Sequence, residues 1–302
     1  MGLTFKKFMV VYSYLICIVL PTQLKAEEDQ NIQLPETEIY LFDINLHSKK
    51  MPVSNMKNIS NHKGYDNQPY FTPSNKTILF TSGRDGKQTD IYEYHLASKK
   101  LTQITRTAYM EYSPTASDNN QIIAFVRDGE QPDQTIWQLD RKTGKSHWAI
   151  NSLEPVGYFA MNQKKSSWLY WSRYGFNVTY LNLKNNIQSF ISGNAIPSSP
   201  KRIPGSNNYS FVQRQSNETV WIKSFNPETR AVTPLLMING TNFDYCWSPD
   251  GSIFRTEGTV LYQGKIGGDW KKIADLKSFG LHRISRLAMS SDGKQLAVVD
   301  NL

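Results

Sequence analysis

The residues of this 302-residue chain best suited to contact a ligand are Tyr65 with Asp66, Tyr109 with Glu111, Phe243 with Asp244, and His282 with Arg283. Each pair sets an aromatic ring beside a charged or ionisable group, and aromatic and Arg side chains are the usual interface anchors. All four pairs lie in polar segments of the kind that carry binding on a rigid scaffold: "NHKGYDNQ" from Asn61, "RTAYMEYS" from Arg106, "INGTNFDYC" from Ile238 and "SFGLHRIS" from Ser278. Catalytic chemistry finds less support. The five histidines, His47, His62, His95, His147 and His282, form no close pair that would ligate a metal from one strand or helix. His62 and His282 are the two placed to reach a site assembled from distant segments. Asp85 and Asp90 flank Gly86 without the alternating oxygen ligands and terminal Glu of a calcium loop, so they read as turn residues. No Gly-x-Ser-x-Gly elbow for a nucleophilic serine occurs. The expectation is a binding protein with no catalytic residue, no metal and no cofactor.

What positions those segments is a repeat. A polar turn followed by an apolar run appears as "FTPSNKTILFTS" from Phe71, "ASDNNQIIAFV" from Ala116, "AMNQKKSSWLYWS" from Ala160, "RIPGSNNYSFVQ" from Arg202, "CWSPDGSIF" from Cys246 and "MSSDGKQLAVV" from Met289. The units recur every ~42–45 residues, the period of a four-stranded propeller blade. A second series pairs a β-branched residue with an aromatic: Ile39-Tyr40, Ile91-Tyr92, Ile136-Trp137, Val178 with Tyr180, Val220-Trp221, and Val260 with Tyr262. Phe80, Tyr92, Phe125, Trp137, Tyr170, Phe211 and Trp221 recur in phase, as packing between neighbouring sheets requires.

The two series are offset at the chain ends. The first strand has no turn unit before it, and the last turn unit has no Ile-Tyr strand after it. The reading that resolves this is an all-β, six-bladed β-propeller of four-stranded antiparallel blades. Its last blade takes two inner strands from about Arg286 to Val299 and two outer strands from about Glu38 to Asn55. Main-chain hydrogen bonds between head and tail then seal the ring and hide strand edges. In the stretch from Phe80 to Thr105, strands are expected at Thr77 to Ser82, Asp90 to Leu96 and Leu101 to Thr105, behind an innermost strand at Asp66 to Phe71. Arg84, beside the Asp85-Gly86 turn, is expected to pair with a neighbouring strand.

The N-terminus has a secretory layout: Lys6 and Lys7, an apolar run from Phe8 to Leu20, and Pro21 to Ala26. The apolar run is shorter than the roughly 20 residues of a spanning helix. Residues 1–26 are therefore expected to be a cleaved signal peptide, and 27–302 one domain in the periplasm or outside the cell, with no membrane insertion after cleavage. Cleavage would remove Cys17 and leave Cys246 alone, so stability would rest on core size without a disulfide. The formal charge of +8 loses Lys6, Lys7 and Lys25 with the leader, and no basic block argues for nucleic acid. Asn-x-Ser/Thr triplets at Asn58, Asn75, Asn177, Asn217 and Asn239 bear on function only in a eukaryotic secretory route.

The unit "TSGRDGKQTDIYEYHLASKKLTQIT", with "CWSPDGSIF" and "MSSDGKQL", resembles the TolB-type propeller repeat, which has a Ser-Pro-Asp-Gly turn, an Arg-Asp-Gly hairpin and an Ile-Tyr strand. The resemblance covers nearly all of the chain after residue 26 and implies an exported propeller domain. TolB itself has an α/β domain ahead of its propeller, which this sequence has no room for between Ala26 and the first strand, so its role in the envelope complex is not carried over. The partner expected is a protein or peptide in the cell envelope, held by loops at one mouth of the ring. A glycan, bound or cleaved, is the alternative.

Overall fold

The computed structural model describes residues 34–302 apart from 49, 87, 130–133 and 151–153, so the expected leader at 1–26 lies outside the described residues. Residues 34–302 form six antiparallel sheets of four strands each. The first blade comprises Asp66–Phe71, Thr77–Ser82, Asp90–His95 and Leu101–Gln103, ending one or two residues short of expectation at its outer strands. The innermost strands of the next four blades are Met110–Ala116, Val156–Asn162, Lys201–Arg202 and Tyr245–Trp247. The sixth blade joins the chain ends, in the order Val53–Asn58, Thr37–Ile44, Gln295–Asn301, Ile284–Met289. Its seam pairs Thr37 with Asn301 through to Asp43 with Gln295 without a register shift. Each main-chain hydrogen bond contributes about 0.5–1.5 kcal/mol net, so this ladder holds the ring shut by several kcal/mol.

Local chemistry explains the repeating turn between first and second strands. Its heads, Thr72, Ser117, Ser248 and Ser290, are buried. The residue three positions on is left-handed, with φ of 53° at Asn75, 57° at Asn120, 82° at Gly251 and 71° at Gly293. Asn and Gly tolerate that conformation at low steric cost. Each donates its N–H to the carbonyl of the head residue. The Ser117 and Ser290 hydroxyls accept from the N–H groups of Ile122 and Gln295, which start the next strand.

Burial is organised between blades. The described residues form six apolar cores, each drawing on two adjacent sheets. Phe80, Phe125, Tyr170 and Phe211 are almost fully buried in four of them, as their periodicity predicts. Each sheet therefore packs on both faces, as Phe159 and Ala160 of one innermost strand show by entering different cores, and the innermost strands bring their unpaired edges to the axis.

Candidate functional site: two mouths and a crossed bore

The loops that enter the innermost strands form one mouth of the ring. Of the eight residues expected to bind there, His282 and Arg283 are exposed, Tyr65, Tyr109 and Phe243 are half-buried, and Asp66, Glu111 and Asp244 are buried. The buried carboxylates are occupied with structural partners. Asp66 receives Arg84 Nη2 at 3.1 Å, and the Arg84 guanidinium lies 4.7 Å from the centre of the Tyr92 ring. Glu111 accepts from the Thr107 hydroxyl at 2.8 Å and from Arg127 Nη2 at 3.3 Å, with Arg127 stacked 3.9 Å over Trp137. Burial pushes the pKa of both carboxyls up, and their hydrogen bonds and arginine partners only partly oppose it. Asp244 accepts the Leu287 N–H at 2.9 Å.

Three further carboxylates hold the loops themselves. Asp300, fully buried, accepts the N–H groups of His282 at 2.9 Å and Arg283 at 2.7 Å and contacts His282 Nδ1 at 2.9 Å. Glu257 accepts the Thr241 N–H and hydroxyl and the Asn242 N–H. Burial pulls the Glu257 carboxyl upward, but these bonds and Arg255 outweigh it and hold its pKa below the ordinary value. Glu38 accepts the His62 N–H at 3.0 Å and the Ser60 hydroxyl. Sequence reasoning overlooked this second set because Asp300 and Glu38 sit inside strands and Glu257 ends one, each far in sequence from the loop that it caps.

Just inside the loop mouth the bore is crossed. Arg286, on the sixth blade, donates from Nη2 to the Tyr158 hydroxyl on the third blade at 2.8 Å. Burial works against the Arg286 charge, but Tyr158, Asp244 and Tyr65 outweigh it and hold the side chain cationic. Burial likewise keeps the Tyr65 and Tyr112 hydroxyls protonated by raising their pKa. Asp244 Oδ1 stands 3.9 Å from Arg286 Nη1 and 4.0 Å from Lys201 Nζ. From this level a cavity of about 350 Å³ runs along the axis to the opposite mouth, where the tight turns at Pro73, Pro204 and Ser291 form its rim. Every blade contributes to its lining. Arg202, near that rim, is paired with Asp118 at 3.0 Å.

Among the described residues no three His, Cys, Asp or Glu side chains converge as a metal site would require. Cys246 is buried, and burial raises its thiol pKa, which keeps it unreactive.

No family profile matches the chain, and no curated protein matches it in sequence. Solved structures do match in shape. A TolB-type structure from Agrobacterium tumefaciens superposes with a TM-score of 0.68 at 14% identity, over 89% of this chain and 99% of that one. TolB from Acinetobacter baumannii gives 0.56 at 15% identity over 87% of this chain, which spans only 63% of that longer protein. An oligogalacturonate lyase in complex with manganese gives 0.56 at 14% identity, over 84% of this chain and 81% of the lyase. At these identities the likeness is one of fold: the chain is a six-bladed β-propeller, and its structural neighbours include the TolB propellers its repeat resembles.

Proposed function

We propose that the chain is an exported, non-catalytic scaffold of the periplasm or cell surface that binds a protein or peptide across its loop mouth. The observation that supports this most is the fixing of that mouth by buried carboxylates. Loops already held in one shape lose less freedom on association, which favours affinity. They present His282 and Arg283 exposed on one loop, and Tyr109 and Phe243 half-buried on two others. Such residues act as anchors when a partner covers them. The likeness to TolB propellers and the signal-like N-terminus support an envelope location. Among the described residues no helix is long and apolar enough to cross a membrane.

The test is affinity capture from envelope extract with the chain from residue 27 onward, beside a Tyr109→Ala, Phe243→Ala, Arg283→Ala triple variant. The expected result is a protein recovered by the parent chain and lost with the variant. Equal recovery by both would remove the loop mouth as the docking surface. A glycan-binding or glycan-cleaving reading draws on the same mixture of rings and charges and on the fold shared with the lyase. Metal analysis of the purified protein and a polysaccharide turnover screen discriminate, since bound metal with turnover would favour that reading over a protein partner.

A further inference from the structure

We propose that the axial cavity, at the mouth opposite the loops, is a separate site for a small monocarboxylic acid with an apolar body. Its deep end carries two cations, Lys201 and Arg286, which share one carboxylate, Asp244. Both stand 3.9–4.0 Å from Asp244 Oδ1, beyond hydrogen-bond reach, and Asp244 Oδ2 is taken by the Leu287 N–H. Arg286 uses Nη2 on Tyr158. A guanidinium has five N–H donors and an ammonium three, so donor capacity remains at this level. The third cation of the lining, Arg202, is balanced by Asp118. One positive charge is thus in excess along the bore, and a monoanion would balance it.

One polar atom of the same lining has capacity to spare. Ser113 Oγ is buried and has no hydrogen-bond partner among the described residues. Buried polar groups are ordinarily satisfied, and an orphan in a cavity wall calls for an explanation. The remaining wall is apolar, from Tyr70, Phe159, Met161, Trp247, Leu287 and Met289. A carboxylate suits the deep end because its two oxygens match the fork of a guanidinium. A ring or short alkyl body suits the wall. The volume of about 350 Å³ falls at the small end of the range for small-molecule sites, roughly 300–1,000 Å³. The cavity opens at the mouth opposite the loops and ends at the Arg286–Tyr158 bond, so a ligand enters it without passing the loop mouth.

The test uses ligand-observed NMR on the chain from residue 27 onward with matched acid and amide probes: indoleacetate and indoleacetamide, phenylbutyrate and phenylbutyramide, naphthoate and naphthamide. The acids should bind about tenfold or more tightly than their amides, the worth of a charged hydrogen bond. Arg286→Gln and Lys201→Gln should each weaken the acids by about tenfold and leave the amides unchanged. Tyr109→Ala, at the loop mouth, should change neither. Failure of all three acids to bind, equal binding of acids and amides, or acid binding that survives both charge substitutions would overturn the proposal. Loss of acid binding in Tyr109→Ala would also overturn it, by moving the site to the loops. If Arg286→Gln does not fold, Lys201→Gln alone decides, because Lys201 is half-buried and its removal leaves Arg286 paired with Asp244.

Discussion

Arg286 of the sixth blade and Tyr158 of the third are joined by a 2.8 Å hydrogen bond across the diameter of the ring, tying together two blades that share no core. Adjacent blades hold one another through apolar packing, which is strong but non-directional. A charged hydrogen bond between opposite blades adds a constraint on diameter. It also divides the bore into a loop side and a turn side.

Tyr158→Phe removes only the acceptor oxygen and should lower stability by about 1.5–3 kcal/mol, the range for a hydrogen bond to a charged group. Arg286→Gln should cost at least as much, because Asp244 then keeps only Lys201 as a nearby cation. The double variant should cost less than the sum of the two, since both remove the same bond. Urea denaturation of the four proteins measures this cycle. Strict additivity would show that the two side chains do not interact in solution.

The clamp on the sixth blade's loop gives a local prediction. Asp300→Asn keeps the shape but replaces a carboxylate that accepts from His282 and Arg283. Global stability should fall by about 1.5–3 kcal/mol. Amide hydrogen exchange at His282 and Arg283 should accelerate beyond what that global loss explains. His282→Ala is the control: it removes only the side-chain contact and keeps both main-chain bonds, so exchange at Arg283 should stay near the parent value. Equal exchange in Asp300→Asn and the parent would mean that the loop is held by something else.

Much of this architecture was legible in the sequence because propeller blades repeat their local chemistry. The Ser/Thr-headed turn needs a left-handed residue three positions on, and Asn75, Asn120, Gly251 and Gly293 supply it visibly. The bore was not legible. Arg286, Tyr158 and Lys201 lie within the innermost strands, and which side chains meet across the axis depends on register. Bulges shift that register in several of these strands, at 157 and between Ile284 and Arg286 among others. One signal was available: "ISRLAM" places an arginine inside an expected innermost strand, where a charge needs either the bore or an internal partner of opposite sign. The carboxylates Asp66, Glu111 and Asp244 had the opposite problem. Beside aromatics in loop-flanking segments they look like contact residues, whereas burial and internal partners commit them to the scaffold.

Glu111 predicts an unusual pH response. Its folded-state pKa lies above the ordinary carboxylate value because burial disfavours the charge. Between the unfolded and folded pKa values the folded chain binds more protons, so this group destabilises the fold as pH rises through that window. Glu257 and Asp292, whose pKa values are lowered, act in reverse. Glu111→Gln keeps an acceptor for Thr107 and Arg127 and removes the titration. The difference in stability between variant and parent should therefore shift in favour of the variant as pH rises above about 4.3, the ordinary pKa of a glutamate. Denaturation midpoints across that range check the sign. A shift in favour of the parent would show that the Arg127 partnership, not burial, dominates at this position.

The seam at the sixth blade predicts the consequence of losing the chain's first strands. Thr37–Ile44 lies between Val53–Asn58 and Gln295–Asn301, so it is an interior strand of its sheet. Ile39 is buried in the core shared with the first blade and Phe42 in the core shared with the fifth. Removing residues 27–58 therefore opens two cores and leaves Gln295–Asn301 as a bare, apolar edge. Such an edge invites pairing with other chains. The truncated protein should aggregate or melt far below the parent, and a synthetic peptide of residues 34–58 supplied in excess should restore the melting temperature. A point substitution calibrates the effect: Phe42→Ala should cost about 3–5 kcal/mol, the usual range for emptying a buried phenylalanine site. Truncated protein that stays monomeric and melts with the parent would show that the ring closes without Thr37–Ile44 and Val53–Asn58, and the six-blade seam would no longer explain the offset between the two repeat series.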